Sequence, residues 1–255
     1  MRNIFDSHAH YDSEQFDSDR DRFLTELPKS GVRYVMTVGD TIESSRRAVS
    51  LAERHGYIYA AAGIHPHEAK TTPDDMEAQI REIISNCSKV RAVGEIGLDY
   101  HYVFSPREKQ RSVFERQLLL AKELDLPVII HDREAHADTM ELLYKYRPRG
   151  VVHCYSGSAE MAREIIELGM YIGFTGAVTF PKARRAIEAL SVIDINRLLV
   201  ETDCPYMAPV PLRGKRSDSS MIVHTAAVMA QVKGIDTQNL LDSTCRNACA
   251  VFGID

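Results

Sequence analysis

Along the chain, short runs of β-branched and aromatic residues alternate with longer stretches in which apolar positions return every three or four residues. The first kind predicts strands at 4–8, 34–38, 58–63, 92–96, 128–131, 151–154, 171–174 and 198–201. The second predicts helices near 18–29, 43–55, 74–86, 106–125, 134–146, 158–168 and 181–190, with two more, 219–233 and 237–251, behind the last strand. Thr72-Pro-Asp and Ser105-Pro-Arg-Glu mark two helix starts, with proline at the first helical position and acids in the first turn. Alternation of the two kinds implies repeated βα units and a parallel sheet. The 195 residues from His8 to Asp203 give about 28 per unit over seven units, room for a strand, a helix and two loops. An open doubly wound sheet would share the alternation, but no glycine-rich phosphate or dinucleotide loop follows the first strand. The expected fold is therefore α/β, a single (β/α)8 TIM barrel over residues 1–255, with no linker dividing it.

Composition changes this picture little. Hydrophobic residues at 44% and charged residues at 26% are ordinary for a globular chain. MRNIFDSHAH does not read as a signal peptide, and no segment approaches ~18 uninterrupted apolar residues, so a cytoplasmic protein without membrane contact is expected, monomeric by default. Lysine plus arginine number 31 against 36 acids, a net charge of -5 that would weakly repel a polyanion. A phosphate-bearing substrate must then be attracted locally, by metals and a few basic side chains. The five cysteines are odd in number and lack finger or ribbon spacing, so no disulfide framework is expected, and Cys245 and Cys249 read as packing residues on the last helix.

Candidate chemistry changes it a great deal. Barrel enzymes place their active sites at the C-terminal ends of the strands. Here the first predicted strand ends in His8-Ala-His10, the fourth in Gly94-Glu95, the fifth in His131, the sixth in His153 and the eighth in Glu201-Thr-Asp203. Imidazole and carboxylate recur at the same end of five strands, a ligand set suited to zinc, manganese or magnesium. His8 and His10, two apart on extended backbone, point to one face, the barrel interior. Six ligands exceed what one tetrahedral ion needs, so the set predicts two divalent metals (Mg2+, Mn2+ or Zn2+) held by His8, His10, Glu95, His131, His153 and Asp203, with Glu95 as the bridge. Such a pair lowers the pKa of a bound water and polarises a phosphoryl or carbonyl oxygen, which is hydrolytic chemistry. His55, His101, His136 and His224 lie outside the pattern and are expected to be ordinary core or surface residues.

The segments His8-Ala-His-Tyr-Asp, Gly63-Ile-His-Pro-His, Val93-Gly-Glu-Ile-Gly-Leu-Asp-Tyr, Ile129-Ile-His-Asp-Arg-Glu-Ala, Val152-His-Cys-Tyr-Ser-Gly and Val200-Glu-Thr-Asp-Cys-Pro-Tyr stand in order at barrel-unit spacing. Together they resemble the TatD-type metal-dependent deoxyribonucleases, a branch of the amidohydrolase-like barrels, over nearly the whole chain. The resemblance implies a divalent-metal-dependent phosphodiesterase acting on DNA, often an exonuclease working from the 3′ end. A barrel mouth framed by short loops would accept a single strand or a frayed end more easily than the middle of a duplex. Matched residue by residue, His8, His10 and Asp203 would hold one metal and His131 and His153 the second, with Glu95 between them. Glu95, Asp203, Glu201 and Asp99 are then the expected catalytic carboxylates, Asp99 to orient water or a ligand histidine. His65, Arg133, Tyr155 and Arg213 are the expected substrate contacts.

The chain departs from the family after Leu212-Arg-Gly-Lys-Arg, where an asparagine and a proline are usual and Ser217-Asp-Ser-Ser-Met-Ile-Val-His stands instead. Arg213, Lys215 and Arg216 in this loop, with Arg133, are the basic residues available to a phosphate path. Among the aromatics near strand ends, Tyr11, Tyr100, Tyr102, Phe104, Tyr155 and Tyr206, the pair Tyr102 and Phe104 after the fourth strand are the best placed to stack on a base. Strand alternation is expected to turn Cys154 and Cys204 away from His153 and Asp203, as packing residues. Two rival functions share the ligand set: hydrolysis of a small-molecule or aminoacyl ester or amide, and a non-catalytic metal-binding barrel. The second would bury a cluster of unneeded charges at a cost in stability.

Overall fold

The computed structural model describes residues 1–255. Eight strands, β1 Ile4–Ala9, β2 Val32–Val38, β3 Ile58–Ala62, β4 Val90–Asp99, β5 Val128–Arg133, β6 Gly150–Val152, β7 Tyr171–Phe174 and β8 Leu198–Val200, form one parallel sheet in chain order. Between them run α1 Arg20–Glu26, α2 Ile42–Arg54, α3 Met76–Asn86, α4 Arg107–Glu123, α5 His136–Tyr146, α6 Ala159–Glu167 and α7 Arg184–Val192, and α8 Ile222–Lys233 and α9 Thr237–Phe252 follow β8. The architecture is the (β/α)8 barrel that the alternation of periods predicts. None of its helices is long and apolar enough to cross a membrane.

Alternation along the strands sorts the apolar residues into two layers. Phe5, Met36, Val38, Ala61, Ala92, Ile129, Val151 and Leu199 fill the inside of the barrel, and Ala248, Phe252 and Ile254 from the C-terminal segment close its lower end. Ile4, Val35, Ala60, Val93, Ile130, Val152, Ile172 and Val200 face outwards and pack beneath the helices. Regular pairing does not complete the ring between β1 and β8. The seam is closed by Asp203 N to His8 O at 2.9 Å and His10 N to Cys204 O at 2.8 Å. Side chains reinforce it: Ser7 Oγ donates to Val200 O at 3.2 Å, and Thr202 N donates to the buried Asp6 carboxylate at 2.9 Å.

Element boundaries depart from the sequence reading where local chemistry intervenes. The predicted helix at 18–29 is α1 followed by a separate 3-10 turn, Leu27–Ser30, because Pro28 has no N–H to continue the α ladder. Pro106 is the N-cap of α4 rather than its first residue, and α3 begins at Met76, beyond Pro73. The predicted helix at 219–233 opens with a 3-10 turn, Ser219–Met221, capped by the Asp218 side chain accepting from Ser220 N at 2.8 Å.

Candidate metal centre and substrate cleft

Strict alternation would carry His8 outwards with Ile4 and Asp6, since Phe5 points in. A register shift between Asp6 and Ala9 against β2 inserts one residue, and both Ser7 and His8 reach the interior. Glu95 is placed by the same device, a shift between Val93 and Ile96 against β5. Alternation carries His131 inwards within β5 and His153 just past the end of β6, following Ile129 and Val151. Glu201 and Asp203 lie beyond β8, and Asp203, at φ +60°, is held at the mouth by its N–H to His8 O. Gly97, at φ +143°, keeps this end of β4 close to β5, where a Cβ would lie 2.0 Å from His131 O.

All six residues expected to bind metal converge at the mouth. His8 Nε2 lies 3.1 Å from His10 Nε2 and 3.2 Å from Glu95 Oε2, with Asp203 Oδ1 at 3.8 Å from His8 and 3.4 Å from His10. The other Glu95 oxygen, Oε1, meets His153 Nε2 at 2.7 Å, His131 Nδ1 at 2.8 Å and His65 Nε2 at 3.6 Å. One buried carboxylate thus turns each of its oxygens to a different group of imidazoles. Three overlapping groups have ligand atoms within 4.8 Å of one another: His8, His10 and Glu95; His8, His153 and Asp203; and His65, Glu95 and His131.

The donor chemistry fits a divalent cation. His10 Nδ1 donates to Val38 O at 3.0 Å and His131 Nε2 to Asp99 Oδ2 at 3.2 Å, which leaves the opposite nitrogen of each ring a bare lone pair facing the centre. His153 turns Nδ1 towards Glu201 Oε1, 3.6 Å away, and Nε2 towards the centre. His8 Nε2 and His10 Nε2, 3.1 Å apart, need a proton or a cation between them, and imidazole with carboxylate is the set that zinc, manganese and magnesium share. Burial opposes the charge on Glu95, but the surrounding histidines, His153 and His8 foremost, outweigh it, holding the carboxyl well below its usual range. Asp203 is likewise lowered, against its burial, by the surrounding histidines.

Asp99 and Glu201 stand behind the ligands. Asp99 Oδ1 accepts the backbone N–H groups of His101 and Tyr102, each at 2.9 Å, while Oδ2 takes His67 Nε2 at 2.8 Å and His131 Nε2. Glu201 accepts from Cys154 N at 2.5 Å and Ser7 Oγ at 3.2 Å. Gly173 gives it room, since a Cβ there would fall 2.4 Å from Glu201 Oε2. His65 Nδ1 accepts the His67 backbone N–H at 3.1 Å, so the neutral ring carries its proton on Nε2, towards Glu95.

Beside the centre a cavity of about 530 Å³ opens, with His131, His153 and Asp203 on one wall. Its lining sets Arg133, Lys182 and Arg185 beside Asp132 and Glu134, and adds an apolar wall of Tyr155, Phe174, Val178 and Phe180. Arg133, expected to contact substrate, lines the cavity. Tyr155 contributes its ring alone, since its hydroxyl donates to Ser158 O at 2.6 Å. Arg213 lies over the Phe180 ring, 4.3 Å from its centroid, at the rim. Lys215 is exposed in the same loop. Arg216 corrects the sequence reading: its guanidinium is committed to Asp19, at 2.7 Å through each of two nitrogens, and lies over Phe16, so it is not free for a phosphate. Cys204 is buried as expected, but Cys154 is a second correction. Because β6 ends at Val152 and Cys154 takes φ +44°, alternation lapses and the residue lines the cavity.

His136, set aside in the sequence reading, lines the cavity with its Nδ1 2.7 Å from Asp132 Oδ2, while His101 ties the β4 and β5 loops together through Glu134 at 2.7 Å. The sequence reading also missed Lys182, Arg185 and His67. The first two follow β7, where barrels commonly bind phosphate, and that signal could have found them. The divergent 217–220 loop seals the β1–β8 seam: Ser219 Oγ reaches Asp6 at 2.6 Å and Tyr11 Oη at 2.7 Å, and Tyr11 is buried there rather than facing substrate.

A family model described as TatD related DNase matches residues 5–253. An uncharacterized metal-dependent hydrolase of Bacillus subtilis, YabD, is 38% identical, covering 99% of this chain and 100% of its own. A relative from Cronobacter sakazakii named 3′-5′ ssDNA/RNA exonuclease TatD is 37% identical, covering 98% and 97% of the two chains. Among solved structures, the TatD homolog YJJV of Escherichia coli superposes with a TM-score of 0.91 at 30% identity, over 99% of both chains.

Proposed function

The chain belongs to the TatD-related DNase family, whose members are metal-dependent hydrolases acting on ester bonds, and from that premise we propose that it removes nucleotides from the 3′ ends of single-stranded or frayed DNA. One observation carries the reading: two groups of histidines meet on the two oxygens of Glu95, beside a cavity lined by Arg133, Lys182 and Arg185. A relative named as a 3′-5′ single-strand exonuclease supports the substrate and the polarity.

Two divalent ions would be held by His8, His10 and Asp203 on one side and His131 and His153 on the other, with Glu95 between them. Bound there, they supply Lewis acidity and water activated near neutral pH. The protein's own groups do the rest. Arg133, Lys182 and Arg185 bind the phosphates, concentrating positive charge in a molecule whose net charge is -5. Burial pushes the His65 pKa well below its ordinary value, so at neutral pH the ring is an uncharged N–H donor at Nε2, turned towards Glu95 and able to support that carboxylate. Asp99 and Glu201 act as positioning residues that fix the rings of His131 and His153.

The test is stepwise cleavage of 3′-labelled and 5′-labelled single-stranded DNA with magnesium, manganese or zinc, beside an Asp203→Asn variant. Shortening from the 3′ end, reduced about a hundredfold or more in the variant, is expected. A protein shown to carry metal that leaves DNA intact with all three, yet turns over a carboxylic ester, would move the substrate to the carbonyl class.

A further inference from the structure

The loop after β4 carries three consecutive exposed apolar residues in a molecule that buries most of its large hydrophobics: Tyr102 at 49%, Val103 at 44% and Phe104 at 55% exposure. Val103 takes φ +49°, and the aromatic rings on either side of it stack, with centroids 5.3 Å apart and planes 7° from parallel. His67 meets both rings edge-on, at 5.6 Å from Tyr102 and 4.8 Å from Phe104. The pair is anchored from below. Asp99 Oδ1 accepts the Tyr102 backbone N–H, and Asp99 Oδ2 holds His67 and the metal-centre residue His131. Arg133 links this ledge to the cleft: its guanidinium lies 4.6 Å above the Tyr102 ring, and it lines the cavity beside His131 and His153.

Two stacked rings with about half of their surface in solvent are a costly feature unless something flat extends the stack. A cation beside them and a metal centre behind Arg133 select a partner that alternates flat apolar faces with negative charges, which is a single-stranded nucleic acid. We propose that Tyr102 and Phe104 form a base-stacking subsite for the strand outside the cavity, with Arg133 holding the phosphate between that base and the centre. This rests on the nuclease reading of the site and adds a cause for single-strand preference, since a base inside a duplex has no free face to offer.

The test reads binding rather than cleavage, so that its failure is distinct from failure of the exonuclease assay. Affinity for a fluorescein-labelled, phosphorothioate-linked oligothymidylate is measured by anisotropy on the metal-loaded protein, beside an abasic oligomer of the same backbone. The Tyr102→Leu/Phe104→Leu double variant should bind the thymidylate at least fivefold more weakly, while the abasic oligomer binds both proteins equally. Tyr102→Phe should keep wild-type affinity, and the thermal midpoint of each variant should stay close to wild type, because about half of each side chain is exposed and leucine can cover the rest. Equal affinity of wild type for the two oligomers, or an unchanged affinity in the double variant, overturns the proposal. So does a wild-type dimer that the double variant dissociates with no loss of oligonucleotide affinity, which would make the ledge a contact between copies of this chain.

Discussion

Residue type says little about role here until partners are specified. Arg133 ends β5 and Arg216 follows β8, yet the first lines the cleft and the second is spent on Asp19 and the rings of Phe16 and Phe23. Glu95 and Glu201 are both buried, but Glu95 turns its oxygens to the metal-centre imidazoles while Glu201 is occupied by Cys154 N and Ser7. Glu201→Gln should therefore weaken metal binding about 10- to 100-fold, read by metal titration, without emptying the site as Glu95→Gln would. Asp6 makes a pH prediction. Burial raises its carboxyl from 3.8 to about 7, against hydrogen bonds from Ser219, Thr202 and His8. The fold favours the protonated form, so this stabilisation is fully present below pH 3.8 and lost as pH rises through 7. Asp6→Asn keeps the shape without the charge. Its thermal midpoint relative to wild type should climb between pH 4 and 7, on the order of 5–10 °C, and then level off. A difference that stays flat across that range would contradict the assignment.

At the scale of elements, two bulges do what the ideal barrel cannot. Without the extra residue in β1, His8 would face the helix layer, and without that in β4 Glu95 would leave the mouth. Glycines then let strands and side chains approach. Gly173 on β7 sits where Glu201 needs space, and both are at the inner face, so Gly173→Ala must push either the strand or the carboxylate. The expected cost is about 1–3 kcal/mol in denaturant unfolding, together with weaker metal binding as Glu201 loses its place behind His153. A variant with lowered stability and unaltered metal affinity would show that Glu201 does not position that histidine.

Across the whole molecule, five imidazoles and several carboxylates are gathered at one mouth that the apolar layers leave open, and cation binding offsets the strain of that assembly. Chelation should lower the thermal midpoint by about 5–10 °C when metal is present at roughly a hundred times its dissociation constant, and much less in Asp203→Asn. The barrel and most of this mouth were legible in the chain. Eight alternations of period fix the fold class, because a parallel strand buried on both faces and an amphipathic helix leave different hydrophobic spacings. His131 and His153 follow from alternation, since a period of two carries the inward face of a strand to its end. Asp203, three residues past β8 at φ +60°, is placed by the seam to His8. His8 and Glu95 do not follow from alternation either. Their inward aim depends on register shifts against β2 and β5, set by neighbouring strands that a local pattern does not contain. The same holds for Arg216, Cys154 and the stacked pair Tyr102 and Phe104. Whether such a side chain is spent on a neighbour or left facing the cleft is decided by residues far away in sequence, and only the closed barrel brings those together.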